Sequence, residues 1–156
     1  MTDPANALVS FQKAFNRGEI TLRPGVLDPT LLMTVDDPNG VIRFTHVRIE
    51  GRTVVALVLF IEVDRIDGVP CLQLGYAVHP AHRNQGRGKE IVKAAIAEMK
   101  HGLLRHDQEA FYLEAVVGTD NVPSQRIAAL TLSPSPVERT DMVSGQPALQ
   151  YLRKVE

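Results

Sequence analysis

Apolar residues three and four positions apart predict that the chain begins with an amphipathic helix. The helix is expected to start at Pro4, with Asp3 as its N-cap, and to end at Arg17 and Gly18. Its apolar stripe comprises Leu8, Phe11 and Phe15.

The segment between this helix and Val35 is the least periodic part of the chain. Asp28 followed by Pro29 can start a short second helix there. The next five residues, DDPNG at 36–40, are dense in turn formers and end in Asn39-Gly40. That pair favours a tight reversal into an extended segment.

Apolar runs after this turn predict three strands in quick succession, at residues 41–50, 53–65 and 70–78. The short polar turns between them indicate an antiparallel meander. The middle strand is apolar on both faces as far as Glu62, which is typical of a strand covered from both sides. We therefore expect helices on both faces of the sheet.

The second half of the chain alternates between helix and strand. Apolar positions at helical spacing predict a long helix over residues 86–104. A strand at 111–117 and a short helix at 123–130 should follow. The segments 137–142 and 148–155 flank the turn SGQP and are expected to close the sheet as a hairpin. The order predicts an α/β fold with a mixed, mainly antiparallel central sheet.

Length and composition indicate an ordinary globular protein. The chain has 156 residues, of which 44% are hydrophobic and 22% charged, so we expect one domain over residues 1–156. The formal net charge is −1, which excludes a broad nucleic-acid surface and requires any anion site to be local.

Localisation is inferred from cysteine usage and apolar runs. The single cysteine, Cys71, cannot form an internal disulfide, and the opening MTDPANALV lacks the features of a secretion signal. The longest apolar run, 54–61, has eight residues, against the ~20 of a membrane helix. We expect a cytoplasmic protein that does not associate with membranes.

A basic, glycine-rich stretch, HPAHRNQGRGKE at 79–90, follows the third strand. It places Arg83, Arg87 and Lys89 around two glycines at the predicted start of the long helix. A helix N-terminus disfavours each cation by about 0.3–1 kcal/mol unless an anion lies among them. The stretch therefore predicts an anion site.

Two nucleotide-binding motifs with the same order of elements do not fit this stretch. A Walker A loop would require a glycine at Arg83 and a serine or threonine at Glu90. The dinucleotide fingerprint would require a glycine at Ile91, and it follows a crossover instead of a hairpin. Both readings are excluded.

The run Arg83-Asn84-Gln85-Gly86-Arg87-Gly88, preceded by Val78-His79-Pro80, resembles motif A of the GNAT superfamily of N-acetyltransferases. The run 121–124, NVPS, resembles the N-x-x-S element of that family. The resemblance implies a GNAT-like fold whose sheet is splayed near Val78 to admit acetyl-coenzyme A as cosubstrate. It implies a pyrophosphate held by loop amides and a pantetheine arm along the strand end. The implied binding residues are Ala77, Val78, Arg83, Asn84, Gln85, Gly86, Arg87, Gly88, Lys89, Asn121 and Ser124.

Family resemblance would also place the acetyl carbonyl against the backbone amide of Val78. The strand position that often carries a carboxylate has Leu72 and Gln73 here, and the helix position that often carries a tyrosine acid has Ala128. Glu114 is the best remaining base, because a carboxylate among apolar neighbours on a central strand suits proton abstraction. The alternative is a structural glutamate that pairs with an arginine.

Several other polar residues have both a structural and a functional interpretation. Glu62 and Asp64 either line an acceptor cleft or form a solvated strand end. Tyr76 and Tyr151 are alternative acids, although core packing is the simpler role. The remaining candidates are the loop histidines His79 and His82, which flank the motif, and the set Cys71, His46, His101 and His106. That last set lacks metal-ligand spacing, so no metal is expected.

The resemblance implies an enzyme that transfers the acetyl group of acetyl-CoA to a primary amine by direct attack in a ternary complex. The acceptor is a small molecule or a protein. A homodimer is also expected, because the family often dimerises. The alternative is a catalytically silent module that keeps the fold and binds coenzyme A or a protein partner.

Overall fold

The computed structural model describes residues 3–106 and 110–156, and within these ranges eight strands form one sheet flanked by three α-helices. The helices are α1 (Pro4–Asn16), α2 (Arg87–Arg105) and α3 (Val122–Thr131), with 3-10 turns at Pro38–Gly40 and Pro80–His82. The strands are β1 (Arg23–Pro24), β2 (Leu32–Asp36), β3 (Arg43–Glu50), β4 (Thr53–Ile66), β5 (Val69–Val78), β6 (Phe111–Gly118), β7 (Val137–Thr140) and β8 (Pro147–Val155).

The strand order is β1-β2-β3-β4-β5-β6-β8-β7, and every neighbouring pair is antiparallel except β5 and β6. The predicted meander, the long helix and the closing hairpin are all present. The mixed, mainly antiparallel α/β sheet is therefore confirmed.

The helices cover both faces of the sheet, as predicted. On one face α1 buries Ala7 and Leu8 against a cluster that includes Leu57, Leu59 and Ala77. On the other face α2 and α3 pack on a larger cluster built from alternate residues of β4, β5 and β6. Since β4 contributes to both clusters, its continuous apolar sequence follows from burial on two sides.

The prediction of a short helix at Asp28 and Pro29 is wrong. Asp28 closes a turn, because its side chain accepts hydrogen bonds from the N–H and hydroxyl of Thr30, at 3.0 and 2.6 Å. Strand β2 then begins at Leu32 and pairs with β3. The buried carboxylate of Glu98 in α2 fixes this loop by accepting the N–H groups of residues 26–28 at 2.6–3.0 Å.

A buried histidine lies beneath α2. His46 in β3 has no exposed surface, and neither ring nitrogen has a hydrogen-bond partner in the described part of the chain. Its ring meets Phe60 edge-on, with 5.5 Å between the centroids. Burial lowers the pKa of His46 from 6.5 to about 4, against a smaller opposing effect of the Glu98 charge.

Stability should therefore fall when the pH drops from 6.5 to 4. The pKa of His46 is lower in the folded state, so the unfolded chain binds the extra proton in this window and the stabilisation present above pH 6.5 is lost. The shift corresponds to roughly 3 kcal/mol. We expect His46→Leu to remove that loss and His106→Leu, at an exposed position, to retain it, as measured by urea unfolding at each pH. Parallel pH profiles for the wild type and His46→Leu would contradict the assignment.

Candidate active site

The site is a gap in the sheet between β5 and β6. The two strands pair only through residues 71–73 and 112–114, and their backbones then diverge. The predicted splay near Val78 is present, and it begins directly after Gln73. A cavity of about 640 Å³ lies between the diverging strands and extends to the N-terminal ends of α2 and α3.

Backbone groups of β5 face this gap. The N–H of His79 donates to the carbonyl of Val55 at 2.8 Å, which fixes the residues of β5 that bond to β4. Because the bonding direction alternates along a strand, the N–H groups of Leu74, Tyr76 and Val78 point towards β6. The N–H of Leu74 completes the ladder by donating to the carbonyl of Glu114, and the β6 backbone has moved away beyond that point. The N–H groups of Tyr76 and Val78 are therefore available to a ligand.

The loop before α2 presents a second set of open amides. Asn84 and Gly86 have left-handed φ values of 60° and 73°, which turn the chain sharply into the helix. In the described part of the chain, no acceptor is found for the N–H groups of residues 85–89, and no side chain caps the helix at Gly86. These N–H groups together with the helix dipole suit an anion such as a pyrophosphate.

The two glycines of the loop have different roles. Gly86 adopts φ +73°, and a Cβ there would meet nothing within 4 Å, so its role is conformational. A Cβ on Gly88 would lie 2.8 Å from Cε2 of Tyr76 and 3.2 Å from Cδ1 of Ile127. Gly88 therefore allows α2 to pack on the Tyr76 ring.

The basic side chains around the loop are not equivalent. Arg87 is held by Glu50, with its Nη2 3.0 Å from one carboxylate oxygen, and its Nε contacts Gln85. Arg83 donates its Nε to the carbonyl of Val78 at 3.2 Å, which leaves its terminal nitrogens exposed. Lys89 is exposed and forms no ion pair with any described residue. Arg83 and Lys89 are the cations most open to a ligand.

The start of α3 forms the opposite wall of the cavity. Asn121 is the N-cap of α3, because its side chain accepts the N–H of Ser124 at 3.2 Å. The hydroxyl of Ser124 lies 3.0 Å from the hydroxyl of Tyr76. The N-x-x-S element thus shapes the helix end and fixes a tyrosine, in addition to lining the cavity.

The structure brings most of the predicted binding residues to the cavity. Ala77, Val78, Arg83, Asn84, Gly86, Arg87, Gly88, Lys89, Asn121 and Ser124 all line it, whereas Gln85 does not. The backbone of Ala77 bonds to β4, and its side chain packs in the cluster under α1. Glu62 and Asp64 are exposed at the far end of β4 and lie outside the lining.

Glu114, the predicted base, lies behind the narrow end of the gap. It is the last β6 residue paired with β5 and does not line the cavity, although the next residue, Ala115, does. The Glu114 carboxylate accepts amide hydrogen bonds from Gln73 at 3.0 Å and from Gln150 at 2.5 Å. Within the described ranges it pairs with no arginine. Two neutral amides therefore hold the carboxylate at the apex of the gap.

Cys71 lies beside this cluster as a neutral thiol. Its burial, and to a lesser degree the charge of Glu114, raise the pKa of Cys71 to about 11. A thiol with this pKa is a poor nucleophile at neutral pH.

Two features of the site were not predicted. The N-terminal end of α1, residues 3–5, reaches the rim of the cavity, and no local signal in the sequence indicates this long-range contact. Tyr76 is only half-buried and points its hydroxyl across the cavity, whereas Tyr151 is a buried core residue as expected. The sequence offered Tyr76 as an alternative acid, but nothing in it indicated the contact with Ser124.

Other classes of site leave no trace in the described ranges. No group of three or more histidine, cysteine, aspartate or glutamate side chains there is arranged to hold a metal ion. No helix in those ranges has both the length and the apolar character needed to cross a bilayer.

The family model of the acetyltransferase (GNAT) family matches residues 10–129 of the sequence. The chain belongs to the GNAT family of acetyltransferases. The matched region runs from the second half of α1 through the gap and its loop into α3, so it contains the glycine-rich loop and the strands on either side of the gap. No curated protein matches the sequence.

Solved GNAT structures share the fold at low sequence identity. A GNAT acetyltransferase from Streptococcus pneumoniae is 12% identical, with a TM-score of 0.56 over 99% of this chain and 96% of that one. Ribosomal-protein-S5-alanine acetyltransferase from Vibrio fischeri is 14% identical, with a TM-score of 0.55 over 74% of this chain and 62% of that one. A Salmonella typhimurium enzyme that modifies the N-terminal serine of ribosomal protein L7/L12 is 13% identical, with a TM-score of 0.53 over 73% and 64%. The chain thus covers less than two thirds of the length of the last two enzymes.

Alanine substitutions should separate the roles of the two loop glycines. Gly88→Ala forces the Tyr76 ring to move and should destabilise the fold by about 1–3 kcal/mol. Gly86→Ala meets no atom but strains a left-handed residue, at a cost of about 1–2 kcal/mol. Gly102→Ala is the matched control in α2, where open space and an ordinary φ predict stabilisation of about 0.5–1 kcal/mol. Urea unfolding measures all three, and a neutral Gly88→Ala would refute the close packing.

Proposed function

We propose that this protein is an N-acetyltransferase that transfers the acetyl group of acetyl-CoA to a primary amine by direct attack in a ternary complex. The observation that carries the proposal is the set of open N–H groups at residues 85–89, at the mouth of a gap lined by further open backbone groups. A diphosphate at the loop with an extended arm in the gap would use both sets.

The residues present fit acetyl-CoA as the donor. The amides of the loop, with Arg83 and Lys89, would hold the pyrophosphate, and the gap-facing backbone of Val78 would pair with the pantetheine arm. Acetyl-CoA, when bound, supplies an acetyl group activated as a thioester. The backbone N–H groups of β5 that face the gap would polarise its carbonyl.

Glu114 is the base that we propose for the acceptor amine. Its position at the apex of the gap suits proton removal through one water molecule, because the carboxylate itself does not reach the cavity. The amides of Gln73 and Gln150 hold both carboxylate oxygens and orient the group. The remaining lone pairs of those oxygens are free to accept a proton.

An α-amine is the acceptor that this arrangement serves best. The pKa of a lysine amine lies roughly 3.4 units above pH 7, whereas the pKa of an α-amine, near 8, lies about 1 unit above it. Removing the proton from an α-amine therefore costs less free energy. A distant, water-mediated base is adequate only for the smaller deficit. Two GNAT enzymes with the same fold are described as acting on an alanine of ribosomal protein S5 and on the N-terminal serine of L7/L12.

A silent coenzyme A-binding module is the second candidate. The silent module is favoured by the position of Glu114 outside the cavity lining. It is also favoured by Ala128, which stands where the family often has a tyrosine acid. The two candidates share the binding site and differ only in turnover. Binding and turnover must therefore be measured separately.

Binding is tested by thermal shift with acetyl-CoA. A ligand at a hundredfold excess over its Kd should stabilise the fold by about 2.7 kcal/mol. Lys89→Met should weaken binding about tenfold, because a charge-assisted hydrogen bond contributes roughly 1.5 kcal/mol. Lys93→Met, one turn further along the same helix face and equally exposed, should leave binding unchanged. No shift for the wild type would contradict both cofactor-binding candidates.

Turnover is tested by the release of coenzyme A thiol with a panel of amines. The panel should contain a peptide with a free N-terminal alanine or serine, the same peptide N-formylated but with one lysine, and a polyamine. We expect the free α-amine to react fastest at pH 7. Binding without thiol release for any amine would favour the silent module.

Glu114→Gln should lower turnover about 100-fold at pH 7 and much less above pH 9, where solvent deprotonates the amine. A glutamine there places one amide N–H₂ against the donors of Gln73 and Gln150, so unfolding measurements must accompany the kinetics. Glu138→Gln, on the exposed strand β7, is the matched control. A folded Glu114→Gln protein with an unchanged pH profile would exclude Glu114 as the base.

A further inference from the structure

The inner end of the cavity lies between the sheet and the helices α2 and α3, and its walls are nearly buried. The wall residues have only 1% to 7% of their surface exposed although they line the cavity; they are Leu74, Val92, Ala115, Ala128 and Thr131. The loop residues at the mouth, such as Arg83 and Lys89, are exposed. The cavity therefore changes from an open, basic mouth to an enclosed end, which we call the inner chamber.

The inner chamber lies at the apex of the gap. On the sheet side, Leu74 and Ala115 directly follow the last paired residues of β5 and β6. On the helix side, Val92 is about 8 Å from the start of α2 and Ala128 is roughly 9 Å from the start of α3, at a rise of 1.5 Å per residue. Because both helices begin at the mouth, these residues lie well inside it.

The walls of the inner chamber are neutral and offer few hydrogen bonds. The four apolar wall residues belong to the main hydrophobic cluster. The hydroxyl of Thr131 donates to the carbonyl of Ile127 at 2.7 Å, so its hydrogen is already used within α3. Water finds few partners in such a place, and an apolar group displaces it favourably. The Asp, Lys and Arg side chains of the described lining lie at the rim and mouth, at Asp3, Arg83, Arg87 and Lys89.

An arm anchored at the loop would bring its thioester to the inner chamber. The stretch 74–78 of β5 spans about 13 Å at roughly 3.3 Å per residue, and it leads from the mouth to the apex. Side chains alternate along a strand, so Leu74 and Ala115 lie on the face of α2 and α3, whereas Glu114 lies on the other face. An acyl chain in the chamber would therefore leave the Glu114 side of its carbonyl open to the acceptor amine.

We propose that the inner chamber is an acyl pocket that admits short, uncharged aliphatic acyl groups such as propionyl and butyryl in addition to acetyl. This inference rests on the proposed acyltransferase function and extends its donor class. The transfer step balances as it does for acetyl. The amine nitrogen forms the C–N bond, the C–S bond breaks, and the proton lost by the amine passes through water to the sulfur of coenzyme A.

Calorimetry without an acceptor tests the pocket independently of turnover, with acetyl-, propionyl-, butyryl- and succinyl-CoA as ligands. Burial of one CH₂ group strengthens binding about fourfold, so propionyl-CoA should bind about fourfold and butyryl-CoA roughly 15-fold more tightly than acetyl-CoA. Succinyl-CoA has the same chain length as butyryl-CoA but ends in a carboxylate. It should bind at least about tenfold more weakly than butyryl-CoA, because the chamber offers that carboxylate no donor.

Ala128→Leu fills the inner chamber and should remove the preference for the longer chains. We expect it to bind acetyl-CoA and butyryl-CoA with about equal affinity. Ala129→Leu makes the same change at a half-buried neighbour that does not line the cavity, and it should keep the wild-type preference. Ala115→Val fills the chamber from β6 and replaces Ala128→Leu if urea unfolding shows that variant to be unfolded. With a reactive amine, the ratio of kcat/KM for butyryl- and acetyl-CoA should follow the same order.

Two results would overturn the acyl pocket. One is a wild-type affinity that stays equal or falls from acetyl- to butyryl-CoA. The other is a butyryl preference that a folded Ala128→Leu or Ala115→Val protein retains, since the acyl chain would then lie elsewhere. Failure of every thioester to bind contradicts the proposed function itself. Tight binding of acetyl-CoA with rejection of butyryl-CoA contradicts the acyl pocket alone.

Discussion

After three paired residues, the backbones of β5 and β6 stop exchanging hydrogen bonds, and the cavity depends on that interruption. A parallel pair at the centre of a sheet normally continues its ladder, because each unpaired buried N–H costs about 1–3 kcal/mol. Here the ladder ends while both strands continue for several residues. The open N–H groups of Tyr76 and Val78 therefore favour the binding of an extended ligand.

Side chains on the face of α2 and α3 pack along the divergence of the two strands. Tyr76 occupies the space between these helices, and it can do so because residue 88 has no side chain. Ser124 secures the phenol from α3, and Asn121 sets where α3 begins. The same residues thus pack the two helices together and line the cavity.

Charge is divided between the two ends of the gap. At the mouth, Glu50 forms an ion pair with Arg87, whereas the side chains of Arg83 and Lys89 are accessible to an anion. At the apex, the single carboxylate of Glu114 is held by neutral amides and not by a cation. This distribution of charge suits a ligand that is anionic at the end nearer the loop. That polarity is the basis of the acetyl-transfer proposal within a family assignment that rests on the matched sequence.

The sequence by itself determined α1 and the elements from β3 onward, because apolar periodicity and turn chemistry are local. It also located the glycine-rich loop before α2, because motif A is contiguous. The loop 25–28 was missed because its partner, Glu98, is some 70 residues away. Only the tertiary structure decided that Glu114 lies behind the cavity and that Glu50 forms an ion pair with Arg87. It also decided the hydrogen bond between Tyr76 and Ser124, which are 48 residues apart in the sequence. Hydrophobic periodicity assigns a side chain to a face of the sheet, but its partner depends on how helices and strands pack together. No local sequence pattern encodes this packing between distant segments.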